Sequence, residues 1–212
     1  MKKLDLPEKS ATESFMACIE SVADESLNAQ YKTCLSEIDN QGTQYIAQAN
    51  VGQLYTLPHT NHPRGTDPLI LGSLKKSDLT KLYTYRMLQK QPAKSIYDEI
   101  MVAAHGKCPF CGGIGHPETL DHYLAKSNYP QFSVLPANLV PACRDCNTGK
   151  GHIRAQNAEE QVIHPYFDDN KFFVEKWISA QVIHSSPIVI EYFTAPPRPL
   201  VRNRCGTCLY TF

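Results

Sequence analysis

No run of apolar residues in this chain of 212 residues approaches the length of a membrane-spanning helix. The opening MKKLDLPEKSATESF places no apolar stretch behind its two lysines, so no secretory signal is expected. Neither sign of charge is in excess, with 21 Lys+Arg against 21 Asp+Glu. A protein held on nucleic acid by bulk charge alone should be basic, and this one is not. Internal repeats and low-complexity tracts are also missing. These absences point to a cytoplasmic protein without a membrane role. A disulfide framework is then not expected, and the eight cysteines read as free thiols or metal ligands.

The balanced charge is unevenly spread. Residues 1–60 carry four basic and eight acidic side chains, residues 61–100 seven and four. An acidic N-terminus is a poor surface for DNA and suits either a protein partner or a solvated helix face. Residues 10–50 read as helical. Ser10 or Thr12 can cap a first helix with Phe15, Met16, Ile19 and Val22 on one face, and Leu27, Tyr31, Cys34, Leu35 and Ile38 repeat the pattern. Residues 56–73, with their prolines and glycines, read as an irregular linker. Two more helices are expected before Gly106, the first capped by Ser77 or Asp78. KWISAQVIH and PIVIEYFT read as two strands joined at Ser185, Ser186 and Pro187, followed by a proline-rich basic tail.

The cysteines carry the strongest pattern. KCPFCGG supplies Cys108 and Cys111, and PACRDCNTGKG supplies Cys143 and Cys146. Two residues between thiols is the spacing that lets both sulfurs face one tetrahedral ion, and two such pairs make a complete four-thiolate set for structural zinc. The alternatives are two unconnected turns or a redox pair, although redox chemistry needs only one CxxC. Cys205 and Cys208 form a third pair with no further ligands in view, so a structural role is expected for it. Cys18 and Cys34 lie on apolar helix faces and read as core.

Between the zinc pairs lies LDHYLAKSNYP, which sets Asp121 beside His122. With Asn138-Leu139 and the CRDCNTGKG run following in order, residues 105–155 resemble the HNH endonucleases, zinc-stapled nucleases of ββα-metal type. The resemblance implies an α+β chain. Residues 101–160 would form the nuclease module, residues 1–100 a helical region for partner docking or covering the site, and residues 161–212 a strand pair and basic tail. It also implies roles. His122 would be the general base that activates water, a task suited to a neutral imidazole. Asp121 and Asn147 would ligate a catalytic magnesium or manganese ion, Asn147 being fixed through its neighbour Cys146. Asn138 would tie the loop between the strands and hold the base in place. Lys150 would contact a backbone phosphate, or else be a solvated helix lysine.

Neighbouring side chains on a strand point to opposite faces, so Asp121 and His122 would straddle a groove at the strand end. His116 and His152 flank the site, whereas His59, His62, His105 and His184 have no partner pattern. HPYFD at 164–168 is expected to pack the module onto its flanking strands, with Tyr166, Phe167 and Trp177 as core.

The wider layout is similar to the HNH subunit (PtuB) of Septu-type anti-phage systems, which also occurs in retrons. That similarity implies an ATPase partner of PtuA type, a nucleic acid substrate (most readily DNA), and in a retron setting a reverse transcriptase with its msDNA. The competing reading is a zinc-stapled nucleic-acid- or protein-binding module without catalysis.

Overall fold

The structure is a computed structural model that describes residues 1–63 and 65–195. Cys205, Cys208 and the basic tail lie outside the described residues. The described chain is mixed α/β, with three separate two-stranded antiparallel sheets. None of its helices is long and apolar enough to cross a membrane.

Three helices open the chain: α1 (Ala11–Glu20), α2 (Glu25–Thr33) and α3 (Leu35–Asn50). Ser10 caps α1 through a reciprocal box, its hydroxyl accepting from the Glu13 amide while Glu13 accepts from the Ser10 amide. Phe15, Ile19 and Val22 turn inward as their spacing predicts, whereas Met16 faces solvent.

The expected linker at 56–73 ends in a short hairpin, β1 (Leu69–Leu71) with β2 (Leu74–Lys75). Helix α4 (Lys76–Lys81) starts at once after it. Asp67 accepts from the Ser77 amide and Asp78 from the Lys75 amide, so the cap reaches back across the hairpin. The helix then widens into a π-helical stretch at Leu82–Met87, and α5 (Ala93–Ala103) follows.

Strand β3 (Thr119–His122) pairs antiparallel with β4 (Leu139–Ala142), which runs directly into α6 (Arg144–Lys150). This pair lies between two apolar clusters. On one side Leu120 and Leu139 join Phe15, Ile19, Tyr31, Leu82, Met87 and Ile100 from the N-terminal helices. On the other, Val140 joins Leu4, Tyr45, Phe132, Leu135 and Tyr166. Covering both faces explains why every residue of β4 is buried and why its side chains are apolar without alternation.

The boundary expected between residues 100 and 101 therefore falls inside α5, and residues 1–100 share one core with the strand pair rather than extending from it. HPYFD also packs elsewhere than expected. His164 stacks on Tyr123 at 4.0 Å and meets Tyr45 of α3, so the motif clamps the β3–β4 loop. After α7 (Lys171–Val174), strands β5 (Ile178–Ile183) and β6 (Val189–Thr194) form an exposed hairpin. Trp177 is only half-buried and donates its indole N–H to the Phe172 carbonyl.

Candidate functional site

Cys108 and Cys111 come from the loop after α5. Cys143 precedes α6 and Cys146 lies in its first turn. The four sulfurs lie within 4.8 Å of one another. A tetrahedral zinc ion with Zn–S bonds of about 2.3 Å needs sulfurs about 3.8 Å apart, so small adjustments complete the site. The first knuckle is closed by the Cys108 amide on the Gly115 carbonyl and the Gly115 amide on Cys111 Sγ.

Gly112 and Gly113 take φ of 72° and 101°, a region open to glycine. Gly115 was not singled out from sequence, yet a Cβ there would meet Cys143 Cβ at 2.7 Å. Burial holds the Cys108 and Cys146 thiols above their usual range, with neighbouring sulfurs adding to the effect. For Cys111 burial also pushes upward, but amide hydrogen bonds from Gly115 and Gly113 outweigh it and bring the thiol to about 7. Four clustered sulfurs, three buried and one half-buried, cannot all ionise without a cation, and a divalent ion reverses that cost. The cluster could hold a metal ion such as zinc.

Asp121 lies on the α6 side of β3, 5% exposed. Lys150 Nζ sits 3.2 Å from its Oδ2, too obliquely for a full hydrogen bond, and donates to the carbonyls of His122 (2.7 Å) and Tyr123 (3.1 Å). The Lys150 side chain is 11% exposed. The lysine is thus largely withdrawn from solvent, its ammonium engaged by protein oxygens. Its ammonium lies among oxygen atoms because β3 ends where α6 completes its second turn. Burial raises the Asp121 carboxyl to about 6, Lys150 offsetting only part of that cost.

His122 points to the opposite face. Its Nε2 lies 2.8 Å from the Ser133 carbonyl, and Tyr83 packs edge-on against its ring at 4.4 Å. A carbonyl only accepts, so Nε2 carries the proton and the neutral ring presents a bare Nδ1 lone pair. Burial, followed by the charge of Lys126, pushes the imidazole down to about 3. Lys126 itself lies over the Tyr83 ring at 4.6 Å. The ring of His122 is therefore neutral but roofed by Tyr83 and Lys126, and the structure does not bring it onto the Asp121 side.

Asn138 is fully buried and holds the loop between the strands. Its Oδ1 accepts from the Leu124 amide (2.7 Å) and the Tyr45 hydroxyl (3.1 Å), and its Nδ2 donates to the carbonyls of Leu124 and Phe132. Tyr45 is in turn 3.2 Å from His164 Nε2. Asn147 lies one turn before Lys150 on α6, half-buried, its side chain without a hydrogen-bond partner among the described residues.

His116 Nδ1 reaches the Gly106 carbonyl, and His152 lies at the surface. Tyr45, Tyr83, Lys126 and His164 were not expected to support the site. For Tyr45 and Tyr83 the only sequence signal is tyrosine at buried helix positions, which reads as core, and His164 is marked only by HPYFD.

Strand pair, helix and four-cysteine centre together define a small mixed α/β protein built around a metal-type cluster. No family model and no solved structure matches it. The chain belongs to the family of protein ea31 of Escherichia phage lambda. It is 39% identical to that protein over 199 residues, which are 93% of this chain and 67% of the relative.

Proposed function

We propose that this chain is a zinc-stapled, metal-dependent endonuclease of HNH type that hydrolyses phosphodiester bonds, most readily those of DNA. One observation carries the reading. Asp121, with an Oδ2 that is buried and incompletely satisfied, faces a helix bearing Asn147 and Lys150 whose start is fixed by Cys143 and Cys146. A carboxylate and an amide oxygen are donors suited to magnesium or manganese, so Asp121 and Asn147 fit that ion. Once bound, it would supply Lewis-acid stabilisation of charge on the phosphate and leaving oxygen.

The chain's own residues do the rest. The Ser133 carbonyl fixes the His122 tautomer that leaves Nδ1 ready to take a proton from water. Asn138 fixes the loop leaving β3 and so the direction in which His122 is presented. Tyr83 and Lys126 must move aside for water to reach that nitrogen. A partner acting on the acidic N-terminal helices, an ATPase subunit in the defence-system reading, would be placed to do so, because Tyr83 is held by the same core.

The roof over His122 and the occupation of Asp121 by Lys150 favour a second reading, a zinc-stapled binding module without catalysis. Nicking of supercoiled DNA with magnesium or manganese separates the two. The nuclease reading expects cleavage that His122→Ala lowers about a hundredfold or more while zinc is retained. Absence of cleavage under all divalent ions, with zinc bound and the fold intact, leaves the binding module.

A further inference from the structure

Beside Lys150, on the side away from the cysteines, lies a groove of about 350 Å³. Tyr55, Tyr123, Tyr129, Arg154 and Glu160 form its walls, and Lys150 is common to the groove and to the Asp121 pair. Glu160 has both oxygens engaged, by the Gln156 amide and the Asn157 side chain, and Lys150 is held by Asp121 and two carbonyls. Lys150 and Arg154 against Glu160 leave the lining with one net positive charge, and Arg154 lies beside the Tyr129 hydroxyl.

Tyr129 is 1% exposed, and its hydroxyl makes no well-formed hydrogen bond, Arg154 being its polar neighbour. A buried hydroxyl left unsatisfied costs about 1–3 kcal/mol, so natural structures keep few of them without cause. Aromatic walls, a net positive charge and an unsatisfied hydroxyl match a nucleotide: a base with a π-face and polar edge, joined to a phosphate. The volume is at the small end of ligand pockets, which suits one nucleotide and not a stacked duplex step.

We infer that this groove is a nucleotide subsite, which takes one unstacked nucleotide of a single-stranded or locally opened nucleic acid next to the Asp121–Lys150 pair. The base lies among Tyr55, Tyr123 and Tyr129, its polar edge completes the Tyr129 hydroxyl, and Arg154 meets the flanking phosphate. This deepens the nuclease reading, on which the adjacency to a cleavage site rests. It also explains how a chain of zero net charge engages a polyanion, through one built pocket rather than a basic face.

The test uses the full zinc-loaded chain without added divalent ion, so that binding is read apart from cleavage. The probe is a single-stranded oligodeoxynucleotide of about twelve residues containing one 2-aminopurine, whose fluorescence falls on stacking, alongside the same strand in a duplex. Titration should change the fluorescence of the single strand and not of the duplex. Arg154→Gln should weaken binding about tenfold and Tyr129→Phe about fivefold at fixed salt, with zinc content and circular dichroism unchanged. Lys90→Gln, an exposed cation elsewhere, should leave affinity unaltered.

Equal affinity in wild type, Arg154→Gln and Tyr129→Phe overturns the subsite, as does an equal loss in Lys90→Gln. If wild type cleaves DNA while the groove variants bind normally, the nuclease stands and the subsite falls. If the groove variants lose binding while wild type cleaves nothing, the subsite stands and the nuclease falls.

Discussion

Replacing Asn138 by alanine should remove the tie that holds residues 123–135 to the strand pair. The Tyr45 hydroxyl keeps His164 Nε2 as a neighbour, so it is not stranded. Two backbone groups are, the Leu124 amide and the Leu124 carbonyl, while the Phe132 carbonyl loses one donor and keeps the Leu135 amide at 3.3 Å. The Phe132 bond is fully buried and those of Leu124 partly so. Each stranded group costs about 1 kcal/mol or more, giving with the lost Phe132 bond a total of about 2–3 kcal/mol. That is a large share of a typical domain's stability of about 5–15 kcal/mol.

Asn138→Asp should cost at least as much, since a carboxylate oxygen would replace an amide that donates to two carbonyls. Tyr45→Phe should cost only about 1 kcal/mol, because it strands less. Urea denaturation of the zinc-loaded protein, followed by far-ultraviolet circular dichroism, reads all three. A loss under 1 kcal/mol for Asn138→Ala, with unchanged m-value and zinc content, would show that the loop does not depend on this side chain.

Cys143→Ser should abolish tight zinc binding and unfold the module, because closed zinc sites contribute on the order of 10 kcal/mol to folding; metal analysis and circular dichroism of the variant check this, and a folded zinc-free protein overturns the four-cysteine centre. Acid titration should expose the opposition between Asp121 and His122. Folding raises Asp121 from 3.8 to about 6, so the folded state binds the extra proton and stability from this group falls as pH rises through that window. Folding lowers His122 from 6.5 to about 3, so the unfolded state binds the extra proton and stability falls as pH drops below 6.5. The two slopes cancel between about pH 4 and 6 in wild type. In Asp121→Asn the His122 slope stands alone, and urea melts should show a loss of about 2 kcal/mol between pH 7 and 5 that His122→Gln abolishes. Deleting residues 1–50 should unfold the chain rather than free a nuclease module, since Phe15, Ile19, Tyr31 and Ile38 share a core with Leu120 and Leu139; a soluble, zinc-bound, cooperatively melting truncation would contradict that.

What could be read from sequence was local. Each cysteine pair announces itself through the spacing within one turn, Ser10 with Glu13 is a capping box four residues long, and the final strands alternate or run apolar over six residues. Asn138 was assigned its tying role by resemblance, and its four hydrogen bonds fit that role. What could not be read depends on partners distant in the chain. Lys150 was given two alternatives, solvated or on a phosphate, because its real acceptors lie 28 and 27 residues away. Tyr83 and Tyr45 come from helices far before the strands, and nothing in helical periodicity distinguishes a tyrosine that packs from one that also bonds. The boundary expected at residue 100 meets the middle of α5 for a related reason. A change in composition marks where the chemistry begins, not where the core ends, and β4 needs cover on both faces.

The same long-range contacts bear on how Asp121 could serve a metal. At an effective dielectric of about 20, charges 3.2 Å apart attract by about 5 kcal/mol. Despite that attraction the Asp121 carboxyl still titrates high, so burial outweighs the lysine and the carboxylate remains short of positive charge. An ion joining it therefore meets an unmet demand rather than a saturated pair. Nor must the ion expel Lys150, because the ammonium is held independently by the His122 and Tyr123 carbonyls. Nζ makes no full hydrogen bond to Oδ2, so that oxygen keeps acceptor capacity. In the proposed enzyme the lysine and the ion would share Asp121, the lysine bracing the end of β3 and the ion facing the substrate.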